Sequence, residues 1–257
     1  MSIKESTHWY DQQGQPAYTV IGANGKERNT TLRDARKLNL VPSVTTILGV
    51  PAKPALENWK LNQALLAVLT LPQLPDESLD DFMIRARADS KQHAIEAAAR
   101  GTAIHADVEA GFRDNRDSVA YAAVKEALDG HFPGQTWVAE DSFCNEGYGG
   151  KIDLYSMGGF NLGLEWPDGI VVDLKTKDGL KGKDPAKLVF DDHGMQLSAY
   201  AQGLGIDNPT RVSIFIDRQH PDILSIHVWD KGSHDRHLAM FNTLKQYWFL
   251  LKKYHPS

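Results

Sequence analysis

The stretch Gly149-Gly150-Lys151-Ile152-Asp153-Leu154-Tyr155 is followed by Gly169-Ile170-Val171-Val172-Asp173-Leu174-Lys175-Thr176-Lys177, and these two segments decide the fold. Both are bounded by glycines and turn residues, and the second is rich in β-branched residues, which predicts two short strands. The connection, residues 156–168, contains three glycines and runs into a Trp-Pro-Asp-Gly tetrapeptide. We therefore expect a β-hairpin with an irregular connection.

Charged side chains stand within this predicted hairpin. Side chains alternate along a strand, so Asp173 and Lys175 share one face while Leu174 points into the packing. Asp153 adds a second carboxylate. Charged groups are seldom buried unless they are paired or bound to a metal. Two carboxylates beside a lysine are what a hard divalent cation and a phosphate ester require.

Asp153, followed about twenty residues later by Asp173-Leu174-Lys175, resembles the metal-binding core of the PD-(D/E)xK nuclease superfamily, in particular its RecB-like exonuclease branch. A D-x-K triplet alone occurs by chance in many chains. The resemblance therefore depends on the motifs before and after it.

The segment Gly101 to Glu109 matches the G-x-x-x-H-x-x-x-E signature of the RecB-like nucleases. We predict a helix over residues 79–112, with Gly101 separating two helices. In that helix His105 and Glu109 lie one turn apart on one face. A single helical histidine is usually structural or exposed, but here it precedes Asp153 and the Asp173–Lys175 pair in the superfamily's order.

A helix that begins at Gly194 carries Gln196 and Tyr200, which match the Q-x-x-x-Y motif of the same branch. These two residues are also one turn apart. For Tyr200 alone, an ordinary amphipathic helix explains the pattern equally well.

Two further segments are candidates for DNA contacts. The first is a lysine-rich run after the hairpin, which is either a solvated loop or a phosphate-backbone contact; it comprises Lys177, Lys181, Lys183 and Lys187. The second is Ser43, Thr45 and Thr46, where Ser43 either simply caps a helix or helps the hydroxyls and free amides to hold a phosphate. This segment, with Trp59-Lys60, is similar to the one preceding the catalytic core in the mitochondrial genome maintenance exonuclease and its phage-type relatives.

Composition sets the class and compartment. The 257 residues are 42% hydrophobic and 24% charged, as in soluble globular proteins. No apolar run approaches the roughly 20 residues that span a bilayer, and the N-terminus has no signal core, so we expect a mature, unprocessed chain with no membrane partner. The single cysteine, Cys144, excludes a disulfide framework and a four-cysteine iron–sulfur cluster, and indicates a cytoplasmic protein. A net charge of -5 argues against a nonspecific polycation but not against a nuclease.

The remaining pattern predicts further elements around the hairpin. We expect a small β-element in residues 8–32 with a turn at Asn24-Gly25. Helices are expected at residues 58–69, 120–128 and 235–254, and strands at 136–143, 211–216 and 223–228. Glu140, on the first of these strands, is interpreted as half of a structural ion pair, with a further metal-site carboxylate as the alternative.

The resemblance implies an α/β fold with a restriction-endonuclease-like mixed β-sheet core flanked by helices. It implies one domain over residues 1–257, with an N-terminal β/helical extension, about 1–78, packed on the catalytic core. Mg²⁺ or Mn²⁺ would be held by Asp153, Asp173, the Leu174 carbonyl and His105, and the imidazole tilts the preference toward Mn²⁺. The other implied catalytic residues are Lys175, Gln196, Tyr200 and Glu109.

The function implied is a metal-dependent DNA exonuclease that acts at free or single-stranded ends in recombination, repair or replication, together with partner proteins of those processes. An endonuclease of the same superfamily is the first alternative. A catalytically silent nucleic-acid-binding module is the second, and the intact set of charged residues disfavours it, because unused charges at one site only cost stability.

Overall fold

The structure, a computed structural model, describes residues 8–157, Trp166 and residues 168–256. The chain begins with short elements, namely β1 (Trp9–Tyr10), β2 (Thr19–Ile21), β3 (Glu27–Asn29), α1 (Leu32–Leu38), β4 (Val41–Pro42) and α2 (Val44–Ile47). β2 and β3 form the hairpin expected around Asn24-Gly25, and β1 pairs with β4. Ser43 caps α2, its hydroxyl accepting a hydrogen bond from the Thr46 amide at 3.0 Å.

Three longer helices follow, α3 (Pro54–Thr70), α4 (Leu79–Asp114) and α5 (Val119–His131). The prediction that Gly101 separates two helices is wrong, because α4 runs through it without interruption. A glycine costs a helix only about 1 kcal/mol relative to alanine. Gly101 is buried where α4 crosses the sheet, and a Cβ there would lie 2.7 Å from Oγ1 of Thr176. The glycine therefore serves close packing of the helix.

The central sheet has five strands in chain order, β5 (Val138–Asn145), β6 (Tyr148–Ser156), β7 (Ile170–Lys177), β8 (Thr210–Asp217) and β9 (Leu224–Val228). Neighbours are antiparallel except β7 and β8, which are parallel. A parallel pair needs a crossover connection, and helix α6 (Asp191–Leu204) lies within it. The expected irregular connection between β6 and β7 lies largely outside the described residues.

Helices cover both faces of the sheet, which confirms a mixed α/β architecture. One apolar cluster joins α4 and α5 to the sheet, for example Val108 and Val124 with Val172. On the other face α6, the N-terminal elements and the last helix, α7 (His234–Lys252), share a second cluster that includes Trp9, Ile47, Leu197 and Trp248. Because Trp9 and Trp248 pack edge to face with ring centroids 6.0 Å apart, β1 and α7 meet in this core.

Short 3-10 turns complete the described chain at Pro185–Lys187 and Lys231–Ser233. Among the described residues, no helix combines the length and the apolar composition that crossing a bilayer requires.

Candidate active site

Asp153 stands where two strands of the sheet diverge. β6 pairs with β7 only from Leu154 to Ser156. Before Leu154, β6 pairs with β5, apart from a single bridge between Gly149 and Ser43. Oδ2 of Asp153 accepts a hydrogen bond from the Leu174 amide at 2.7 Å. The Leu174 amide has no partner on β6, because the pairing of β6 and β7 does not extend to it, and the Asp153 carboxylate accepts its hydrogen bond instead. This contact fixes the Asp153 side chain between the two strands.

Asp173 and Lys175 share a face of β7, as strand alternation predicts. The Asp173 side chain is only 2% exposed, and the Lys175 ammonium lies 2.5 Å from its Oδ2. This distance defines an ion pair, yet Oδ2 makes no hydrogen bond of acceptable geometry within the described residues. The attraction between opposite charges therefore holds the ammonium against this oxygen.

Gln196 and Tyr200 reach the same group from α6. The Gln196 amide oxygen accepts from Lys175 Nζ at 3.0 Å, and its Nε2 donates to Asp173 Oδ1 at 2.8 Å. Tyr200 accepts from Gln196 Nε2 at 3.0 Å. The ring of Tyr200 packs over Gly150, where a Cβ would lie 2.7 Å from its Cε1. Gly150 therefore lets α6 approach the sheet closely enough to bring Gln196 to the two charges.

His105 reaches the group from α4, on the opposite face of the sheet. Its Nδ1 lies 3.4 Å from Oδ1 of Asp153, and its side chain is 30% exposed. Gly101, one turn earlier, brings the helix backbone against β7. The His105 imidazole thus lies next to the Asp153 carboxylate and remains accessible from solvent.

The two carboxylates differ in electrostatic environment. Burial raises the pKa of Asp173 to about 6, and the nearby Asp153 charge adds to this while Lys175 opposes it. Burial also acts to raise the pKa of Asp153, but His105 and the Leu174 amide outweigh it and lower that pKa. Burial acts to lower the pKa of His105, but the two carboxylates raise it overall. Environments that push the pKa values of neighbouring carboxyl groups apart are typical of functional sites.

The side chains that meet here are of types that bind divalent cations. Two carboxylates and a neighbouring imidazole converge, and Asp173 Oδ2 is buried without a hydrogen bond. Within the described part of the chain, however, no three His, Cys, Asp or Glu side chains are arranged to hold a metal ion. The Lys175 ammonium lies against the Asp173 oxygen that a cation would need.

The predicted carboxylates Glu109 and Glu140 lie apart from this cluster. Glu109 forms an ion pair with Arg113 one turn along α4, and no side-chain hydrogen bond or ion pair between described residues joins it to His105. Glu140 forms an ion pair with Lys151 on the neighbouring strand, which agrees with the structural interpretation. Its backbone has φ of 52°, an uncommon conformation for a residue other than glycine.

Three hydroxyl groups were predicted to hold a phosphate, and they form hydrogen bonds with one another. Ser43 Oγ lies 3.0 Å from Oγ1 of Thr45 and 2.8 Å from Oγ1 of Thr46. The Thr46 hydroxyl also accepts from the His8 amide at 3.2 Å. Ser43 is buried, so its described contacts are those of a helix cap.

The lysine run divides into two parts. Lys177, the last residue of β7, is half-buried and donates to the Leu188 carbonyl at 3.2 Å. Lys181, Lys183 and Lys187 are exposed beyond the end of the strand. Only Lys177 therefore lies in the packed region next to Lys175.

The sequence did not predict a cleft beside the cluster. It has a volume of about 930 Å³ and lies between the start of α3 and the start of α6. An ion pair of 3.0 Å between Lys53 and Asp192 joins the two helices. The aromatic residues that line the cleft, Trp59 and Phe190, are far apart in the sequence. A single aromatic residue in a sequence is more often part of a core, so neither residue predicted the cleft.

Comparison with known proteins identifies no family. No protein-family model matches the chain, and no curated protein matches it. The crystal structure of SSO0001 is similar with a TM-score of 0.31 and 17% sequence identity, over 74% of this chain and 86% of that one. A similarity this loose supports no statement about function.

Proposed function

We propose that this protein is a metal-dependent DNA exonuclease with a PD-(D/E)xK-type site on a restriction-endonuclease-like core. The observation that carries the proposal is the contact cluster of Asp153, Asp173, Lys175 and Gln196, which converge from β6, β7 and α6. The sheet order, with β5, β6 and β7 antiparallel and β8 added in parallel across α6, supports it.

Asp153, Asp173 and the Leu174 carbonyl would hold Mg²⁺ or Mn²⁺, and His105 would add a nitrogen ligand. Such a cation supplies Lewis-acid activation of water and neutralises charge on the phosphate. The pKa of Asp173, raised to about 6 by burial, means that this carboxyl group ionises near neutral pH. Its ionised form is the one that binds a cation.

Lys175 has two roles in this proposal. Its ammonium lies 2.5 Å from the buried Asp173 carboxylate and offsets its negative charge. Next to a bound cation it would orient the attacking water and stabilise the negative charge that develops on the scissile phosphate. Gln196 keeps the ammonium within reach, because its amide oxygen accepts from Nζ.

Substrate topology tests the proposal. Purified protein is incubated with linear DNA and with covalently closed circular DNA of the same sequence, in Mg²⁺, Mn²⁺ or EDTA. An exonuclease degrades the linear form alone, and only with a divalent cation. Cleavage of the closed circle identifies an endonuclease instead. Binding without cleavage in every cation condition identifies a silent module and overturns the proposal.

A further inference from the structure

Helix α3 and the first half of α4 carry many of the large apolar side chains that stand exposed. Among the described residues twenty-one such side chains are exposed, and eleven of them lie between Leu56 and Ile95. Single apolar residues at a surface are ordinary, whereas a contiguous group of them marks a contact with another molecule. This pair of helices is therefore the strongest candidate for an interaction surface outside the active site.

On α3 four of these side chains form one stripe, which comprises Leu61, Leu65, Val68 and Leu69. Their spacing, i, i+4, i+7 and i+8, places them on one face of the helix. Leu65 is 52% exposed and Leu69 is 82% exposed. Ala67 is buried on the opposite face, where α3 packs against the rest of the chain. Helix α3 is thus apolar on both sides, and the described residues cover only one of them.

The segment that carries this stripe is uncharged. Residues 61–75 contain no Asp, Glu, Lys or Arg, although 24% of the whole chain is charged. In a two-fold symmetric contact each side chain near the axis lies close to its own copy, so a charged residue there would meet a like charge. An apolar stripe without charges avoids this repulsion, and it therefore suits pairing with the same stripe of a second chain.

The charges at the two ends of α3 favour one direction of pairing. The turn and first residues after the helix, 76–81, contain four acidic residues and no basic one. At the start of α3, Lys53 and Lys60 outnumber Glu57, and both lysines remain partly exposed although each forms an ion pair within the chain. An antiparallel pair of α3 helices sets the acidic end of each chain toward the basic start of the other. A parallel pair would bring the two acidic ends together.

We infer that the α3 stripe is a dimer interface, in which two copies of this chain pair antiparallel across a two-fold axis at Leu65. With the axis at this residue, Leu61 of each chain packs against Leu69 of the partner subunit, and the two Leu65 side chains meet each other. Two-fold dimers are the commonest oligomers of soluble proteins. The inference is independent of the proposed nuclease function, because it uses no residue of the candidate active site.

Sedimentation velocity of the full chain, measured over a range of protein concentrations, tests the inference. The wild type should sediment with twice the chain mass of 28.6 kDa as its concentration rises. Leu65→Lys sets two ammonium groups against each other at the axis, so its dimer dissociation constant should rise by about a hundredfold or more. Leu250→Lys, at a leucine of α7 that is 69% exposed, is the matched control and should dimerise as the wild type does.

A charge-reversal pair tests the two-fold arrangement itself. Leu65→Glu alone should also be monomeric, because two carboxylates meet at the axis. An equal mixture of Leu65→Lys and Leu65→Glu should recover the dimer, since each ammonium then faces a carboxylate. A wild type that stays monomeric at every concentration would leave the stripe to a different partner protein and overturn the inference. Dimerisation of Leu65→Lys at the wild-type strength, or a mixture that stays monomeric, would overturn it too.

Discussion

Gln196 donates from its amide nitrogen to Asp173 at 2.8 Å, while its amide oxygen accepts from Lys175 at 3.0 Å. A side-chain amide has a donor at one end and an acceptor at the other, so it fits between a carboxylate and an ammonium without leaving either end unpaired. Gln196 therefore keeps the charged groups of Asp173 and Lys175 in position.

Replacing Gln196 with glutamate should disrupt this arrangement. The carboxylate presents an oxygen to Asp173 where the amide presented a donor, and the added negative charge raises the pKa of Asp173 further. We expect DNA cleavage to fall by about a hundredfold or more. The acid limb of the pH–rate profile should also move to higher pH, because Asp173 must be ionised to act. The exposed Gln219→Glu is the control, and an unmoved profile in Gln196→Glu would contradict this role.

His105 should set the metal preference. An imidazole ligand favours Mn²⁺ over Mg²⁺, so Mn²⁺ should support cleavage at least as well as Mg²⁺. His105→Ala should raise the Mn²⁺ concentration needed for half-maximal cleavage more than it lowers the melting temperature. His93→Ala, an exposed histidine on the same helix, is the matched control. Full activity of the wild type in EDTA would refute a metal site altogether.

Gly101 and Thr176 offer a test of how α4 is placed. Because a Cβ at residue 101 would lie 2.7 Å from Thr176 Oγ1, Gly101→Ala should push the helix and His105 away from β7, at a cost of about 1–3 kcal/mol in stability. Adding Thr176→Ala removes the obstructing hydroxyl, so the double variant should recover both activity and stability. Gly130→Ala, where a Cβ meets nothing within 4 Å, is the control. A double variant no better than Gly101→Ala would contradict the packing argument.

His193, in the cleft wall, should make stability depend on pH. Burial lowers its pKa to about 4, and the Lys175 charge adds to this. As pH falls from about 6.5 to about 4, the unfolded chain takes up this proton before the folded protein does, so stability is lost with falling pH. His193→Gln should remove about 3 kcal/mol of this acid destabilisation in denaturant unfolding. The exposed His131→Gln is the control. Parallel stability–pH curves for wild type and His193→Gln would refute the assignment.

The sequence predicted the parts of this protein that depend on local spacing. The strands around Asp173 and the helix carrying Gln196 formed as expected, because alternation and one-turn spacing are local properties. The effect of Gly101 was not predictable, since its neighbour Thr176 lies on β7, far along the chain, and the sequence shows only a residue that weakens helices. The position of Asp153 where β6 leaves β7 depends on where strand pairing ends, and the cleft of Trp59 and Phe190 depends on the packing of α3 against α6. Both are tertiary relationships.

The central claim is that Asp173 acts in phosphodiester hydrolysis, and cleavage by Asp173→Asn tests it most directly. Release of nucleotides from end-labelled linear DNA in Mg²⁺ is measured for the wild type, Asp173→Asn and the exposed control Asp222→Asn. We predict that the wild type and Asp222→Asn release nucleotides at similar rates, while Asp173→Asn, melting cooperatively, is slower by about a hundredfold or more. A folded Asp173→Asn protein that cleaves DNA at the wild-type rate would contradict the account.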